Sequence, residues 1–483
     1  AAAAAAAAAV APASAPLEEE FRPSAAIVEV LVNFLVRVAL MAAEGRDGPE
    51  LSERCVLLLA SGLSIWPEVA IKYAFLDKQF QEASRTSANA AAAKDGAASA
   101  GGADGSNLLL TGLAVLHAII KRQPAFLVRQ LKSLHALLAP ALEHHLDNQK
   151  MVAALEAFLK DALQNLGRVA RQAPQTQGDV ASFMHWLAEA CALGLGTKAE
   201  PAAAASQAGQ GGAAPPPAPP REFSVVRAHS SLRLLMVVGG FAPELLAKQH
   251  VSITKLLARL AKDHLSRKPE PPAAAAASPG ASGASSSPTA EELLLPSLRL
   301  TIRLGSARLP DSGDARKTFL LALERLAERA HDVELLMLVV KTAGSWIVAP
   351  PGAPPNLQPK ERASMLLKLG CVEATPAPRL HAAYLAVVAR VLADESLPGR
   401  EMLLPNPPRG APSTAATSGP LRLEAGLLLG LRSRDAATRR AFSAHLSRAV
   451  GGSVAHRIAH VIASSENDSG PAAVAAASGA FWL

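Results

Sequence analysis

Cysteine and aromatic residues are both scarce in this chain. Its 483 residues contain three cysteines, Cys55, Cys191 and Cys371, and only 4% are Phe, Trp or Tyr. Three widely spaced cysteines exclude a disulfide framework and favour a reducing compartment. Each lies in an apolar helical stretch, so we expect each to be a small buried hydrophobic residue.

Long hydrophobic runs are absent as well. No segment reaches the roughly 18 uninterrupted apolar residues that a membrane span requires. The best candidate, Ile27 to Ala42, is interrupted by Glu29, Asn33 and Arg37, which lie four residues apart along one helix face. The pattern predicts a half-buried helix rather than a membrane-spanning one.

Charge of one sign is not concentrated in the sequence. The net charge is +7, but 48 Lys and Arg are interspersed with 41 Asp and Glu. This mild basic bias does not indicate a nucleic-acid patch.

The chain starts with nine alanines and lacks an initiating Met, so we expect its native N-terminus to be missing.

Tracts of Ala, Gly, Ser and Pro divide the chain into helical segments. Such tracts cannot bury enough apolar surface to offset their chain entropy, so we predict disordered insertions between helices. The predicted insertions and loops are 1–20, 83–106, 197–221, 269–288, 350–358, 405–420 and 464–483, the last including the start of a further helix. The predicted helical repeats are 21–82, 107–196, 222–268, 289–349, 359–404 and 421–463.

Apolar residues between the tracts recur with a period near 3.6, which predicts amphipathic helices. No alternating stretch reads clearly as a strand. Three predicted buried stripes are Ile27, Leu31, Phe34, Leu35, Val38 and Met41; Leu108, Leu109, Leu113, Leu116, Ile119 and Ile120; and Phe319, Leu320, Leu323, Leu326 and Ala330, the last opposite Glu324, Arg325 and Glu328.

Helix starts can be placed from capping residues and prolines. Thr289-Ala-Glu-Glu292 fits a capping box. Proline is favoured in the first helical turn, and four prolines are predicted there: Pro124, Pro140, Pro243 and Pro378.

Neighbouring helices pair at a spacing near the ~40–47 residues of HEAT repeats. The predicted fold class is therefore all-α, an α-solenoid of HEAT-like helical pairs.

Two Asp-Ser-Gly triplets, at Asp311 and Asp468, match the sequence of an aspartic-protease dyad. Each Asp of such a dyad must follow an apolar strand on a tight turn. Both flanks here are loop-like within a helical chain, so we favour ordinary loops.

Metal and phosphate sites are likewise weakly supported. His144 and His145 are adjacent, not at the four-residue spacing of two ligands on one helix, so solvated or helix-end histidines are favoured. Gly194-Leu-Gly-Thr-Lys198 resembles a phosphate loop only faintly, because Thr precedes Lys and a helix precedes both. The better interpretation is that glycine ends a helix that runs from Phe183 to Leu195.

Tryptophans and arginines are the remaining binding candidates. Trp66, Trp186, Trp346 and Trp482 are potential partner anchors, although packing between helices is favoured for Trp186 and Trp346. The cluster Arg432, Arg434, Arg439, Arg440 and Arg448 lacks interleaved aromatic residues, so a solvated helix face is favoured over nucleic-acid binding. We predict no catalytic, cofactor-binding or metal-binding residue.

The order of the helical motifs resembles one known family. The resemblance is strongest over residues 21–80 and continues through Leu110 to Leu116, Leu338 to Ile347, Glu361 to Lys368, Asp394 to Glu401, Leu427 to Arg432, Arg440 to Ser443 and Phe481 to Leu483. Together these motifs are similar to the HEAT-repeat arm of the transformation/transcription domain-associated protein family, upstream of its FAT region. That family consists of pseudokinases of the phosphatidylinositol 3-kinase-related kinase superfamily.

The resemblance implies a nuclear, non-catalytic scaffold in SAGA- and NuA4-type histone acetyltransferase complexes, acting in transcription and DNA repair. Its implied partners are transcription activators and acetyltransferase-complex subunits. We expect no cofactor, small-molecule substrate, membrane contact or sequence-specific nucleic-acid binding. Two alternatives stay open: the HEAT arm of an active kinase of the superfamily, and an unrelated α-solenoid of a transport or adaptor protein.

Overall fold

The computed structural model describes residues 23–43, 48–72, 75–78, 81–82, 85, 103–196, 223–267, 288–306, 313–348, 357–393, 430–433 and 435–450. These residues contain helices and no strand. Most of each predicted insertion, including the whole of 1–20, 197–221, 405–420 and 464–483, lies outside the described residues.

The chain divides into two compact units, residues 1–145 with 153–180 and residues 146–152 with 181–483. The helices are α1 (Ala25–Ala42), α2 (Gly48–Ile65), α3 (Ala103–Arg122), α4 (Ala125–Arg129), α5 (Leu131–His144), α6 (Gln149–Gln172), α7 (Gln177–Leu193), α8 (Val225–Phe241), α9 (Pro243–Lys248), α10 (His250–Ser266), α11 (Ala290–Ser306), α12 (Gly313–Arg329), α13 (Val333–Ile347), α14 (Pro359–Leu369), α15 (Pro378–Ala393) and α16 (Ala436–Val450). Short 3₁₀ turns at Pro174–Thr176 and Gly370–Ala374 complete the described elements.

In the first unit, α1, α2 and α3 pack mutually. The polar stripe of α1 holds the segment that follows α2: Asn33 Nδ2 donates to the Ala70 carbonyl at 3.0 Å, and the Lys72 N–H donates to Asn33 Oδ1 at 2.7 Å. Gln123, just beyond α3, donates to the carbonyls of Pro67 and Val69 at 2.9 and 2.7 Å. These bonds satisfy the backbone of a segment that has no secondary structure of its own.

Among the described residues, α1 is the one helix that is long and apolar enough to cross a membrane, with a mean hydropathy of 2.1. Here it packs against α2 and α3 and uses Asn33 to bind a neighbouring loop. These contacts favour the half-buried helix that the sequence predicts.

The buried stripe predicted for α1 is nevertheless wrong. Its core face consists of Val28, Val32, Val36, Ala39 and Leu40. Of the predicted residues, Ile27, Leu31, Phe34 and Met41 are exposed, and Leu35 and Val38 are half-buried. The helix is apolar on two faces that border the polar stripe, so hydrophobic periodicity could not select between them.

The other two predicted stripes, in α3 and α12, are confirmed, since all of their residues are buried. The capping box at the start of α11 is also confirmed. The Thr289 N–H donates to Glu292 at 2.9 Å, and the Glu292 N–H donates to Thr289 Oγ1 at 3.3 Å. Helix α3 begins at Ala103, four residues inside the tract assigned to 83–106.

Three of the four prolines start a helix as predicted, and Pro140 does not. Pro124 is the N-cap residue of α4, and Pro243 and Pro378 are the first residues of α9 and α15. Pro140 lies inside α5. Apolar residues on both sides of it are buried, including Leu137, Leu138, Ala141 and Leu142. Their burial offsets the ~3 kcal/mol that an interior proline costs, so the helix continues.

The second unit contains a two-layer stack. We call α8, α11, α13 and α15 layer A, and α10, α12 and α14 layer B. Each helix packs on the next helix of its own layer, and the layers contact through α10–α11, α12–α13 and α13–α14. The last three layer A helices, α11, α13 and α15, start at residues 290, 333 and 378, which gives spacings of 43 and 45 residues. This confirms the predicted all-α solenoid of HEAT-type pairs.

Candidate protein-docking surface

The aspartic triplets fall largely outside the described residues, which include neither Asp311 nor Asp468. Gly313 is the first residue of α12 and has a φ of 89°, a left-handed conformation that glycine adopts without strain. The described part of this motif is therefore a turn that starts a helix.

The glycine motif after α7 is a helix stop, as predicted. Helix α7 ends at Leu193, and the Gly196 N–H donates to the Leu193 carbonyl at 3.2 Å with a φ of 64° at Gly196. A Cβ atom at Gly194 would lie 2.0 Å from Ser231 Oγ, so glycine here permits close packing onto α8. Thr197 and Lys198 lie outside the described residues.

The paired histidines lie at the end of α5. His144 is its last residue, with Nε2 3.7 Å from a Glu143 oxygen, and the His145 N–H donates to the Ala141 carbonyl at 3.2 Å. Both are half-buried, in agreement with helix-end histidines. In the part of the chain that the structure describes, no three His, Cys, Asp or Glu residues form a metal site.

Ring contacts are present at two of the described tryptophans, Trp186 and Trp346. Trp346 is buried, and its ring lies 5.7 Å from that of Phe319 on the neighbouring helix, which confirms the packing interpretation. Trp186 is half-buried, 5.7 Å from Phe183. Trp66 is half-buried at the end of α2, and Trp482 lies outside the described residues.

The arginine cluster near α16 is exposed at Arg432, Arg439 and Arg440. Arg439 donates to the Ser433 carbonyl at 2.6 Å and so closes the turn before the helix. Asp435 accepts from Thr438 in that turn, and this side-chain hydrogen bond lowers the pKa of Asp435. The side chains of Arg434 and Arg448 lie outside the described residues. The described arginines thus match a solvated helix end.

Cys55 and Cys191 are buried, as predicted, whereas Cys371 is half-exposed in the 3₁₀ turn after α14. Burial raises the pKa of Cys191 to about 12, so its thiol is protonated at neutral pH. The prediction of a buried cysteine is wrong for Cys371, which is only half-buried.

A ladder of polar contacts joins two successive helices of layer B. Arg316 on α12 pairs with Glu361 on α14, and Nε and Nη2 donate to separate carboxylate oxygens at 2.9 and 2.7 Å. Farther along, Ser364 donates to Glu324 at 2.7 Å and Lys368 donates to Glu328 at 3.0 Å. Because the residue numbers of the paired side chains increase in the same direction along α12 and α14, the two helices are parallel, as in stacked repeats.

Glu361 also belongs to the capping box of α14, because the Gln358 N–H donates to its Oε2 at 2.9 Å. The hydrogen bond from Arg316 is the main cause that lowers the pKa of Glu361, against an opposing effect of burial. This one carboxylate therefore both starts a helix and bonds it to the preceding repeat.

A second junction connects α11 with the start of α13 in layer A. Asp332 accepts from the Leu335 N–H at 2.6 Å as the N-cap residue of α13, and Arg299 of α11 donates to the same oxygen at 2.8 Å. A capping residue thus again carries the charged contact between neighbouring repeats.

The outer surface of layer B is basic. Its exposed side chains include Lys255, Arg259 and Lys262 on α10, Lys317 and Arg325 on α12, and Lys360 on α14. We call this set the basic face. This face was not predicted from the sequence, although the spacing of Lys255, Arg259 and Lys262, opposite a buried Leu-rich side, indicates a charged helix face. This arrangement offers charge and hydrogen-bond donors for binding.

Comparison with known proteins places this architecture in a family. The family model of the Tra1 HEAT repeat ring region matches residues 2–469, nearly the whole chain. No curated protein sequence matches the chain. The match confirms the resemblance drawn from the helical motifs, and a repeat region of this kind is a structural scaffold without a catalytic domain. The chain therefore belongs to the family of Tra1 HEAT repeat ring regions.

Proposed function

We propose that this chain is a non-catalytic scaffold segment of a nuclear transcription coactivator. In this proposal it helps to recruit histone acetyltransferase complexes of the SAGA and NuA4 types to activators and chromatin. The acetyl transfer is carried out by partner subunits, and the kinase-like domain expected downstream in the whole protein is inactive.

The continuous stack of layers A and B carries the proposal. Each repeat is bonded to the next by packing and by charged contacts such as Arg316–Glu361 and Arg299–Asp332. A stack held in this way keeps its outer side chains at fixed spacing, so that partners meet a pre-organised surface. Membership of the Tra1 ring family supports the assignment of that surface to a coactivator scaffold.

Affinity purification tests the proposal. The tagged full-length protein is recovered from nuclear extract, and its partners are identified by mass spectrometry beside a tag-only control. We expect histone acetyltransferase subunits and their adaptors. Recovery of transport cargo, or of kinase-pathway proteins without acetyltransferase subunits, contradicts the proposal.

The inactive-kinase part has its own measurement. Purified full-length protein is incubated with radiolabelled ATP, Mg²⁺ and histone or basic-protein substrates. We expect no phosphate transfer above that of a buffer control. Transfer that co-purifies with the protein through successive columns contradicts this part of the proposal.

A further inference from the structure

We propose that Ser433 is a phosphorylation site, and that the arginines beside it hold the phosphate and fasten α16 to the connection that precedes it. The donor is ATP, used by a serine kinase that prefers arginine next to its target. This inference goes beyond the scaffold function and does not rest on it. It is carried by the hydrogen bonds of Ser433 and by the position of Arg439.

Ser433 lies in the short connection before α16. Its N–H donates to the Gly430 carbonyl at 3.2 Å, and residues 432, 433 and 435 lie outside any helix. A kinase must bring the acceptor hydroxyl in line with the γ-phosphate inside its own cleft. A partly exposed residue in a connection reaches that position with less local unfolding than a residue inside a helix.

The Ser433 hydroxyl is the better acceptor of the two hydroxyls in this turn. Its Oγ accepts the Asp435 N–H at 3.2 Å, and within the described part of the chain it donates to no acceptor. The Thr438 hydroxyl, in contrast, donates to Asp435 Oδ2 at 2.6 Å. The proton of Ser433 is therefore available to the base of a kinase, whereas that of Thr438 is already bonded.

The arginines supply the charge that a phosphate needs. Arg432, Arg439 and Arg440 are exposed, and Asp435 is the one acidic residue among them, so three positive charges face one negative charge. Arg439 Nη1 already donates to the Ser433 carbonyl at 2.6 Å. A guanidinium carries five N–H donors, so this one can hold the carbonyl and a phosphate oxygen together.

The transfer itself is an ordinary phosphoryl transfer. Ser433 Oγ attacks the γ-phosphorus of ATP, and the new O–P bond forms as the bond from that phosphorus to the bridging oxygen breaks. ADP leaves with the electron pair, and the hydroxyl proton passes to the catalytic carboxylate of the kinase. The product carries a charge of about −1.5 to −2 and three strong acceptor oxygens.

The phosphate acts on how firmly α16 is held. A Cβ atom at Gly430 would overlap the Phe442 ring, so the connection packs closely on a buried residue of α16. Helix α16 in turn packs on α15. Bonds from Arg439 to both the backbone and the phosphate of residue 433 therefore tighten the junction at which α16 joins the stack.

Ser443 gives an internal reference for the test. Arg439 and Arg440 precede it by four and three residues, but Ser443 lies inside α16. The full-length protein and a synthetic peptide of residues 428–447 are each incubated with Mg-ATP and a purified kinase, chosen because it phosphorylates both serines of the peptide. Tandem mass spectrometry then gives the ratio of phosphate at Ser433 to phosphate at Ser443.

We expect this ratio to be roughly tenfold or more higher in the protein than in the peptide, because only Ser433 is presented outside a helix. Ser433→Ala should remove the signal from that site. Arg432→Gln combined with Arg439→Gln should slow the modification severalfold, while Arg303→Gln combined with Arg325→Gln should leave it within about twofold of wild type. An equal or lower ratio in the protein overturns the proposal.

Hydrogen exchange tests the role of the phosphate. Amide exchange in the first two turns of α16 should slow about threefold to tenfold on phosphorylation of wild-type protein. Kinase-treated Ser433→Ala should show no slowing, and phosphorylated Arg439→Gln should lose most of it. Unchanged or faster exchange in phosphorylated wild type, or equal slowing in Arg439→Gln, contradicts the role assigned to the arginine.

Discussion

Gly305 of α11 lies directly against the ring of Phe319 on α12. A Cβ atom at position 305 would stand 2.2 Å from Phe319 Cε2 and 2.6 Å from Cζ. The same ring packs on Trp346 of α13, with centroids 5.7 Å apart. One glycine therefore controls how closely three successive helices of the two layers approach.

Gly305→Ala should destabilise the second unit by about 1–3 kcal/mol, because the buried ring cannot move without repacking Trp346. The measurement is the free energy of unfolding in urea, followed by circular dichroism. Gly240 is the control, since nothing lies within 4 Å of a Cβ added there in α8. Gly240→Ala should be neutral or stabilise by up to about 1 kcal/mol. Equal losses at both positions would contradict the packing argument.

Arg316→Met should cost about 1–3 kcal/mol of stability at neutral pH, because it leaves the Glu361 carboxylate without its charged donor. The pKa of Glu361 is lowered in the folded protein from an ordinary value of 4.5. The stability from the pair is therefore fully present above pH about 4.5 and is lost as the pH falls through the lower folded-state pKa. The difference between wild type and variant should shrink over that acidic range in urea titrations.

Glu361→Gln provides the matched control for this pair. A Gln side chain still accepts the Gln358 N–H of the capping box but removes the charge. In a double-mutant cycle, the double variant should lose less than the sum of the two single losses. Additive losses would show that Arg316 and Glu361 act independently.

Asp332→Ala should destabilise by about 1–2 kcal/mol, since α13 loses its N-cap and Arg299 loses its partner. Asp332→Asn keeps the side-chain oxygen for the Leu335 N–H and should recover about half of this loss or more. Thermal unfolding of the three proteins gives the comparison. An Asn variant no more stable than the Ala variant would mean that charge, and not capping, dominates at this junction.

Val32→Ala should cost about 1–3 kcal/mol, because Val32 is buried and its Cγ2 faces Gly62 of α2. Leu31→Ala, one residue earlier and 52% exposed, should cost less than about 1 kcal/mol. Urea unfolding of the two variants decides which face of α1 lies in the core. The opposite ranking would restore the stripe that periodicity predicted.

Cys191 should resist thiol reagents that modify Cys371. With a pKa of about 12, on the order of one Cys191 thiol in 10⁴ is ionised at pH 8, and the side chain is also buried. Labelling with an aromatic disulfide should give a fast phase that Cys371→Ser removes, and all three cysteines should react in guanidinium chloride. A fast phase that persists in Cys371→Ser would contradict this assignment.

Sequence patterns predicted the buried side of a helix where hydrophobic periodicity left one choice. In α12 the 3.6-residue period identified that side because charged residues occupy the opposite side, and in α3 every residue of the predicted stripe is buried. In α1 the period was ambiguous, and at Pro140 local preference was outweighed by burial of neighbouring leucines. Local chemistry is therefore a sufficient guide only where it agrees with packing.

The contacts between repeats were beyond a single-sequence prediction. Arg316 and Glu361 are 45 residues apart, and Glu328 and Lys368 are 40 apart. Their pairing depends on the register between stacked helices, which many side chains set together. The basic face has the same origin: each lysine is an ordinary exposed residue in its own helix, and only the stacking of α10, α12 and α14 brings them to one surface.

The spacing of the layer A helices has a mechanical consequence. Because α11, α13 and α15 start only 43 and 45 residues apart along the chain and pack in that order, each of these repeats is joined to its immediate neighbour. Tension along such a polypeptide is carried through these junctions in series, and the weakest one yields first while the others stay folded. The second unit is thus built to lengthen stepwise under load and to recoil by restacking one pair of helices at a time.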